Sequence, residues 1–436
     1  MCQTGTAGEN IQRSDTNFGK AVLQWHMQKP WIRRAAAFLS SQAVSLFGSS
    51  LVQYALLWYV TLETKSGIAM TVYIICGFLP TFLIAPFGGV LADRYNRKYL
   101  IIVADALIAV TTLALAVLFM AGGKGLWLVM VAAALRAVGT AVQGPAVGAI
   151  LPQFVPKDAL TRVNGISSSI QSAIMLLSPV VSGVLITFFP MHVIFLIDIA
   201  TAAVAITVLM FFLDVPAHRR ASQRKSTYFA DMIEGFRYIR GERNLVSFFI
   251  FLGILMFLVA PAALLTPLQV ARTFGSDVWR LTAIEVVFSG GMMLGGIFIG
   301  MWGGFRNRMH MMLLSSAVMA LCTIALGLPI HFGVYCVFMG ITGIALAFFN
   351  TPSAVYIQER VPTDYLGRVF SISTMLFTSM MPIGMLLFGP LAEIVRIEWM
   401  LIATGLGMLV LIAVMCTDRT LVRSGMPVRT RHAGRG

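Results

Sequence analysis

The sequence predicts an all-α membrane protein whose twelve helical spans form two pseudo-symmetric six-helix bundles. Three observations predict it: the scarcity of charge, the regular recurrence of long apolar runs, and the repetition of one half by the other. Of 436 residues, 58% are hydrophobic and 11% charged, with mean hydropathy +0.84; soluble domains carry about 25% charged residues. The formal charge of +14 does not indicate nucleic acid, because the bases punctuate apolar runs instead of gathering on one soluble face.

A hydrocarbon core about 30 Å thick is crossed by roughly 20 helical residues. Runs of that length fall at 35–61, 70–91, 99–121, 126–150, 166–188, 192–213, 245–271, 280–302, 309–329, 332–356, 368–391 and 397–416. At the short turns 122–125 and 329–331 a single long helix is the competing reading. If the loops alternate between two compartments, one of them receives only Lys65, Lys124, Arg272, Arg280 and Arg396. Arg136 lies in a span, and the rest of the 32 Lys and Arg residues fall on the other side. That bias predicts a multi-pass protein of the cell (cytoplasmic) membrane with both termini cytoplasmic.

The expected organisation is a cytoplasmic arm at 1–34, a first bundle at 35–213, a linker at 214–244, a second bundle at 245–416 and a basic cytoplasmic tail at 417–436. Residues 1–29 lack the basic-then-apolar-then-small pattern of a cleaved signal. In the linker, Phe229, Met232, Ile233, Phe236 and Ile239 recur at helical spacing beside Arg237, Arg240 and Arg243. Such a helix either lies among lipid headgroups or docks on the bundle.

The hinge between the second and third spans reads GGVLADRYNRK, Gly88 to Lys98. An acid among three bases between two spans marks a charged turn at a membrane surface. Gly88 and Gly89 are expected to let the second span press against a neighbour. The loop after the eighth span, GGIFIGMWGGFRNR from Gly295 to Arg308, keeps the glycines and bases without the acid. VPKDALTRV (Val155 to Val163) and VPTDYLGRV (Val361 to Val369) match at six of nine positions in what are expected to be equivalent loops. Duplication of a six-span unit is the footprint of secondary transporters, whose site lies between the repeats near mid-membrane.

GGVLADRYNRK resembles the signature that the major facilitator superfamily carries between its second and third helices, with Asn96 where glycine is usual. LRAVGTAVQG, Leu135 to Gly144, resembles the family's fourth-helix pattern with its buried arginine, here Arg136. SPVVSG resembles the fifth-helix motif associated with antiporters, on Ser178, Pro179, Ser182 and Gly183. The whole run looks most like the branch of bacterial macrolide and siderophore exporters. The resemblance implies an alternating-access carrier with the major facilitator fold. In it Asp93 would latch the cytoplasmic gate formed with Gly88, Gly89, Arg94, Arg97 and Lys98.

Four charges lie inside spans: Asp105, Arg136, Asp198 and Glu285. Each costs about 2.5–3.5 kcal/mol at a helix centre and marks a functional suspect. Family architecture makes Arg136 the candidate for coupling and Glu285 the reversible proton carrier, with Asp105 and Asp198 as hydrogen-bonding supports. The first span carries no acid before Glu63 at its end, where many drug antiporters embed one. Pro145 and Pro179 are expected to kink or unwind their spans. Gln42, Gln53, Tyr54, Trp58, Gln143, Met256, Phe257, Phe348, Phe349 and Asn350 are expected on the cavity, where aromatic and Met surfaces with sparse amides suit a bulky amphipathic molecule.

Cys2, Cys76, Cys322, Cys336 and Cys416 are scattered without metal or disulfide spacing. No HExxH or Walker sequence occurs, so no enzyme, metal site or cofactor is indicated. The expected partners are a lipophilic small molecule, protons and the lipid bilayer. A siderophore exporter or lysophospholipid carrier is the alternative, and a non-transporting receptor or scaffold the remote one.

Overall fold

The structure is a computed structural model and describes residues 30–213, 228–328 and 331–426. The expected arm over 1–29, the linker over 214–227 and the tail beyond 426 lie outside the described residues. Twelve helical segments are long and apolar enough to cross a membrane. The first half holds α1 (Pro30–Thr64), α2 (Gly67–Arg94), α3 (Arg97–Met120), α4 (Leu126–Phe154), α5 (Lys157–Phe188) and α6 (Met191–Phe212). An amphipathic helix, α7 (Tyr228–Gly241), precedes the second half. That half comprises α8 (Arg243–Leu264), α9 (Thr266–Thr273), α10 (Val278–Trp302), α11 (Arg308–Leu326), α12 (Phe332–Arg360), α13 (Thr363–Leu391) and α14 (Ile397–Thr417), followed by the short α15 (Arg419–Ser424).

The halves use one packing scheme. In the first, α1 lies against α5 and α6, α2 against α4, and α3 against α4 and α6; in the second, α8 lies against α13 and α14, α10 against α12, and α11 against α12 and α14. Equivalent glycines let equivalent helices approach closely. A Cβ at Gly88 would stand 2.5 Å from the Ala141 carbonyl oxygen, and one at Gly295 would stand 2.9 Å from that of Ile344. Gly89 differs from expectation. Nothing lies within 4 Å of its Cβ position, because the 100° step between helical neighbours turns it away from the contact Gly88 makes.

Both hinges cap the next helix with asparagine, a favoured N-cap residue. Asn96 accepts a hydrogen bond from the Lys98 N–H at 3.0 Å, and Asn307 accepts from those of Met309 and His310 at 2.9 and 3.2 Å. With φ −66°, Asn96 needs none of glycine's freedom, which accounts for the departure from the family pattern. The VPxDxLxRV stretches are helix starts, not loops. Pro156 and Pro362 are N-caps, and the helices begin one residue later, because a proline blocks helix on its N-terminal side and lacks only an N–H that a helix start leaves unpaired.

The seventh span is interrupted where one continuous helix was expected. Between Pro261 and Pro267 the chain ends α8 at Leu264 and restarts as α9 at Thr266, since proline removes a backbone donor and crowds the preceding turn. By contrast, α4 and α5 run unbroken through Pro145 and Pro179.

The halves meet along two seams, α2 with α13 and α5 with α10. Both are shut at the end that carries Lys65. There the Cβ position of Gly67 abuts the Gly389 carbonyl oxygen, and the Thr71 hydroxyl donates to the Met385 carbonyl at 3.3 Å. Across the other seam, Gly183 faces Thr282. Toward the hinge end of the same four helices, Gly89, Gly165, Gly296, Gly300 and Gly367 have nothing within 4 Å of their Cβ positions. The close approaches between the halves therefore lie at the Lys65 end and have no counterpart at these hinge-end glycines.

Candidate functional site

A cavity of about 480 Å³ lies between the halves. The first half supplies most of its wall: Ser45, Leu46, Ser49, Ser50, Gln53 and Leu57 of α1, Tyr73, Phe78 and Thr81 of α2, and Arg136, Thr140 and Gln143 of α4. The second half adds Ala263, Leu264 and Pro267, at the break in its first span, and Glu285 of α10.

Behind the polar wall are two layers of hydrogen bonds. In one, the Arg136 guanidinium donates to Asp198 at 2.6 Å, to the Thr112 hydroxyl and to the Ser49 carbonyl. Asp198, with no exposed surface, also accepts from Thr112 at 2.9 Å and from Ser49 at 3.1 Å. In the other, buried Asp105 accepts from Gln143 at 2.6 Å and from Ser45 at 2.9 Å through one oxygen, while its second oxygen has no partner among the described residues. Helical spacing builds both layers: Ser45 and Ser49, Asp105 and Thr112, and Arg136 and Gln143 are each one or two turns apart, so each pair shares a face. An ionised buried pair holds together only when its remaining hydrogen bonds are met. Asp198 and Arg136 satisfy that condition. Asp105 has no counter-ion among the described residues, so an ionised carboxylate there would be a charge buried alone.

The predicted residues divide. Arg136, Gln53, Gln143 and Glu285 line the cavity, and Asp105 and Asp198 stand one hydrogen bond behind it. Trp58, Phe349 and Met256 do not; with at most 1% of their surface exposed, they fill the packing cores. Apolar side chains on a span are drawn equally by the interior, and hydropathy does not separate core from cavity. Tyr54 packs on Trp58 beside the cavity, the rings tilted by 50°, within electrostatic reach of Glu285. Phe257 packs on Phe388, Phe348 faces a separate groove with Trp302 and Met311, and neither Gln42 nor Asn350 lines the cavity. Within SPVVSG, Gly183 meets the other half at Thr282. The Ser182 hydroxyl donates to the Leu51 carbonyl of its own half at 3.1 Å, and Ser178 is fully buried. Pro179 lies within α5.

At the hinge, Arg97 donates to the Ala92 and Ala149 carbonyls at 2.9 and 2.5 Å, and Lys98 caps the end of α6 through the Met210 and Leu213 carbonyls. Arg94 is exposed. The side chain of Asp93 lies outside the described residues.

A cluster at the Lys65 end escaped the sequence reading. Arg272 donates to the Lys65 carbonyl at 2.6 and 3.0 Å and to the Ala392 carbonyl at 2.7 Å, and pairs with Glu393 at 3.3 Å. Glu393 in turn accepts from the Ser66 hydroxyl at 2.6 Å and from the Ile68 N–H at 3.2 Å. Lys65 adopts φ +46°, unusual for a side-chain-bearing residue, and its carbonyl is the one Arg272 holds. The only signal in the sequence was an acid and a base at the ends of the seventh and eleventh spans.

A family model described as Major Facilitator Superfamily matches residues 38–384. The chain is 29% identical over 390 residues to macrolide efflux protein A of Streptococcus pyogenes, covering 88% of this chain and 96% of that protein. It is 22% identical over 364 residues to the staphyloferrin A transporter of Staphylococcus aureus, covering 82% and 89%. Among solved structures, a bacterial homologue of the human lysosomal transporter Spinster, inward-facing and unoccupied, is similar with a TM-score of 0.68 at 13% identity, covering 90% of this chain and 98% of that one. That likeness speaks for the fold. A family model spanning most of the chain, twelve spans and two halves packed alike place this chain in the Major Facilitator Superfamily: it belongs to that family and is a membrane transporter, not an enzyme.

Proposed function

We propose that the chain exports bulky lipophilic molecules by alternating access, in exchange for protons, with the hinge end facing the cytoplasm. The observation that carries this reading is the cavity itself: set between halves that approach closely at the Lys65 end and not at the hinge-end glycines, apolar at Leu46, Leu57 and Phe78, and polar where Arg136 and Gln143 stand in front of buried acids. An amphipathic wall with few fixed polar groups suits a large, greasy cargo, and the similarity to macrolide efflux protein A supports that class. Rocking the halves would close the hinge-end glycines as the Gly67 and Gly183 contacts open, with the hinge from Gly88 to Lys98, including Asp93, as the cytoplasmic latch.

In this reading Glu285 and Asp105 carry the proton, because neither has an ion-pair partner among the described residues. Arg136 and Asp198 hold the wall in place. Export of a macrolide from cells, followed with and without a protonophore, tests it. The parent is expected to keep drug out until the protonophore is added, and Glu285→Gln or Asp105→Asn to accumulate drug throughout. Equal drug levels in parent and both variants would show that neither carboxyl couples export to protons.

A further inference from the structure

Outside the central cavity, α7, α8 and α13 border an open groove. It measures about 760 Å³, within the range of small-molecule sites. One end is basic, lined by Arg237 and Arg240 of α7; the rest is apolar, lined by Phe236, Phe249, Ile254 and Leu376 among others. Both arginines are exposed and have no hydrogen bond or ion pair among the described residues. The acid one turn before Arg237, Glu234, is engaged by Arg368 of α13 at 3.2 Å.

Depth makes this arrangement specific. The seventh span begins at Arg243, so Arg240 and Arg237, three and six residues earlier, stand within two turns of the membrane boundary. The apolar part continues to Gly253 and Ile254, about 16 Å further along the helix. At Gly253 the missing side chain leaves a notch, with the Leu376 methyls 3.4 and 3.9 Å from where a Cβ would be. We infer that this groove binds an anionic phospholipid, its phosphate on Arg237 and Arg240 and one acyl chain along Phe249, Gly253 and Leu376. A phosphate is the group two free guanidinia recognise, and basic pockets between spans at a membrane surface take such headgroups. The neighbouring stretch of this chain, 214–227, carries Arg219, Arg220, Arg224 and Lys225, so its charge does not suit the same place.

Binding also reaches the moving parts. Helix α7 is fastened to the start of α13 by the Glu234–Arg368 pair and by Tyr238 stacked on Tyr365 with centroids 4.6 Å apart. α13 forms one of the two seams, so a lipid spanning α7, α8 and α13 steadies the hinge end. The site depends on neither the cargo nor proton coupling.

The test uses the purified full-length protein in detergent, titrated with phosphatidylglycerol or with phosphatidylcholine and read by native mass spectrometry and melting temperature. One phosphatidylglycerol is expected to bind and raise the melting temperature, with phosphatidylcholine binding about tenfold more weakly. The Arg237→Gln/Arg240→Gln double variant is expected to lose that preference, and Gly253→Leu to lose the lipid with both arginines intact. Arg33→Gln, an exposed arginine at the same end, should bind as the parent does. Glycerol phosphate without acyl chains should not compete at equal concentration. Because both arginines are exposed, the double variant decides the matter even if Gly253→Leu fails to fold. Equal binding of the two lipids, or unchanged preference in the double variant, overturns the assignment. So does a neutral lipophilic drug that displaces the lipid equally from parent and double variant, which would make the groove a portal for cargo.

Discussion

In the first half, α1, α3, α4 and α6 are tied together by side chains that reach across helices, from Arg136 to Asp198, Thr112 to Asp198, Ser49 to Asp198 and Ser45 to Asp105. The equivalent helices of the second half, α8, α11, α12 and α14, meet instead through Phe251, Met312, Met319, Phe349 and Met408. Hydroxyls are present there too, but Ser315, Ser316, Thr323, Thr342 and Thr404 each donate to the carbonyl four residues back on their own helix. Cross-helix polar contacts in that half sit toward its ends, as with Tyr335 on Gln269 at 2.9 Å and Arg308 on Glu359 at 3.3 Å. Lipid is as apolar as a leucine surface, so spans associate either by close packing or by hydrogen bonds. Here the first half adds hydrogen bonds to close packing while the second relies on packing, and the cavity's polar wall falls on the hydrogen-bonded side.

The largest expected effect comes from breaking the polar half. Arg136→Met leaves the Asp198 carboxylate buried without its counter-ion, which costs about 3–5 kcal/mol. Thermal unfolding in detergent should show a strongly destabilised protein, and Arg136→Met/Asp198→Leu should recover most of the loss. A single variant as stable as the parent would mean that packing, not the ion pair, holds α4 to α6.

A matched pair of hydroxyl deletions sharpens the contrast. Thr112→Val removes bonds to two charged groups and is expected to cost about 1–2 kcal/mol. Ser316→Ala removes only a bond within its own helix and should stay within about 0.5 kcal/mol. If the two melting curves shift alike, the halves do not differ in the way described.

A small, pH-dependent effect belongs where the halves join. At the Lys65 end, the Ser66 hydroxyl, the Ile68 N–H and Arg272 hold the Glu393 carboxyl below its usual range. A carboxyl lowered on folding stabilises the folded state above its unfolded value, about 4.3, and that contribution is lost as pH falls through the lower folded value. The pair is partly exposed and is worth at most about 1 kcal/mol. Parent and Glu393→Gln melting temperatures should therefore differ by a constant amount from pH 7 to pH 5 and converge below about pH 4. Convergence already near pH 6 would assign the effect to another group.

Chain order and local chemistry were enough for the span count and the duplicated halves, because hydropathy over some 20 residues and the preferences of Gly and Pro act within a few turns. They also supplied the four intramembrane charges. The sequence carried a further pattern that went unread: Ser45 and Ser49, Asp105 and Thr112, and Arg136 and Gln143 repeat at one or two helical turns, and together they announce a polar seam.

What only the tertiary structure decided is which partners meet. Asp198 is 62 residues from Arg136 in the chain, and nothing local says that it, not Asp105, receives the guanidinium. That depends on how far each helix is rotated about its axis, which is set by close contacts such as Gly88 on Ala141 and has no signature in hydropathy. For the same reason Trp58 and Phe349 went to the cores, while Ser50 and Thr81 reached the cavity. Helix rotation is a property of neighbours, so it is determined when the spans pack and not before.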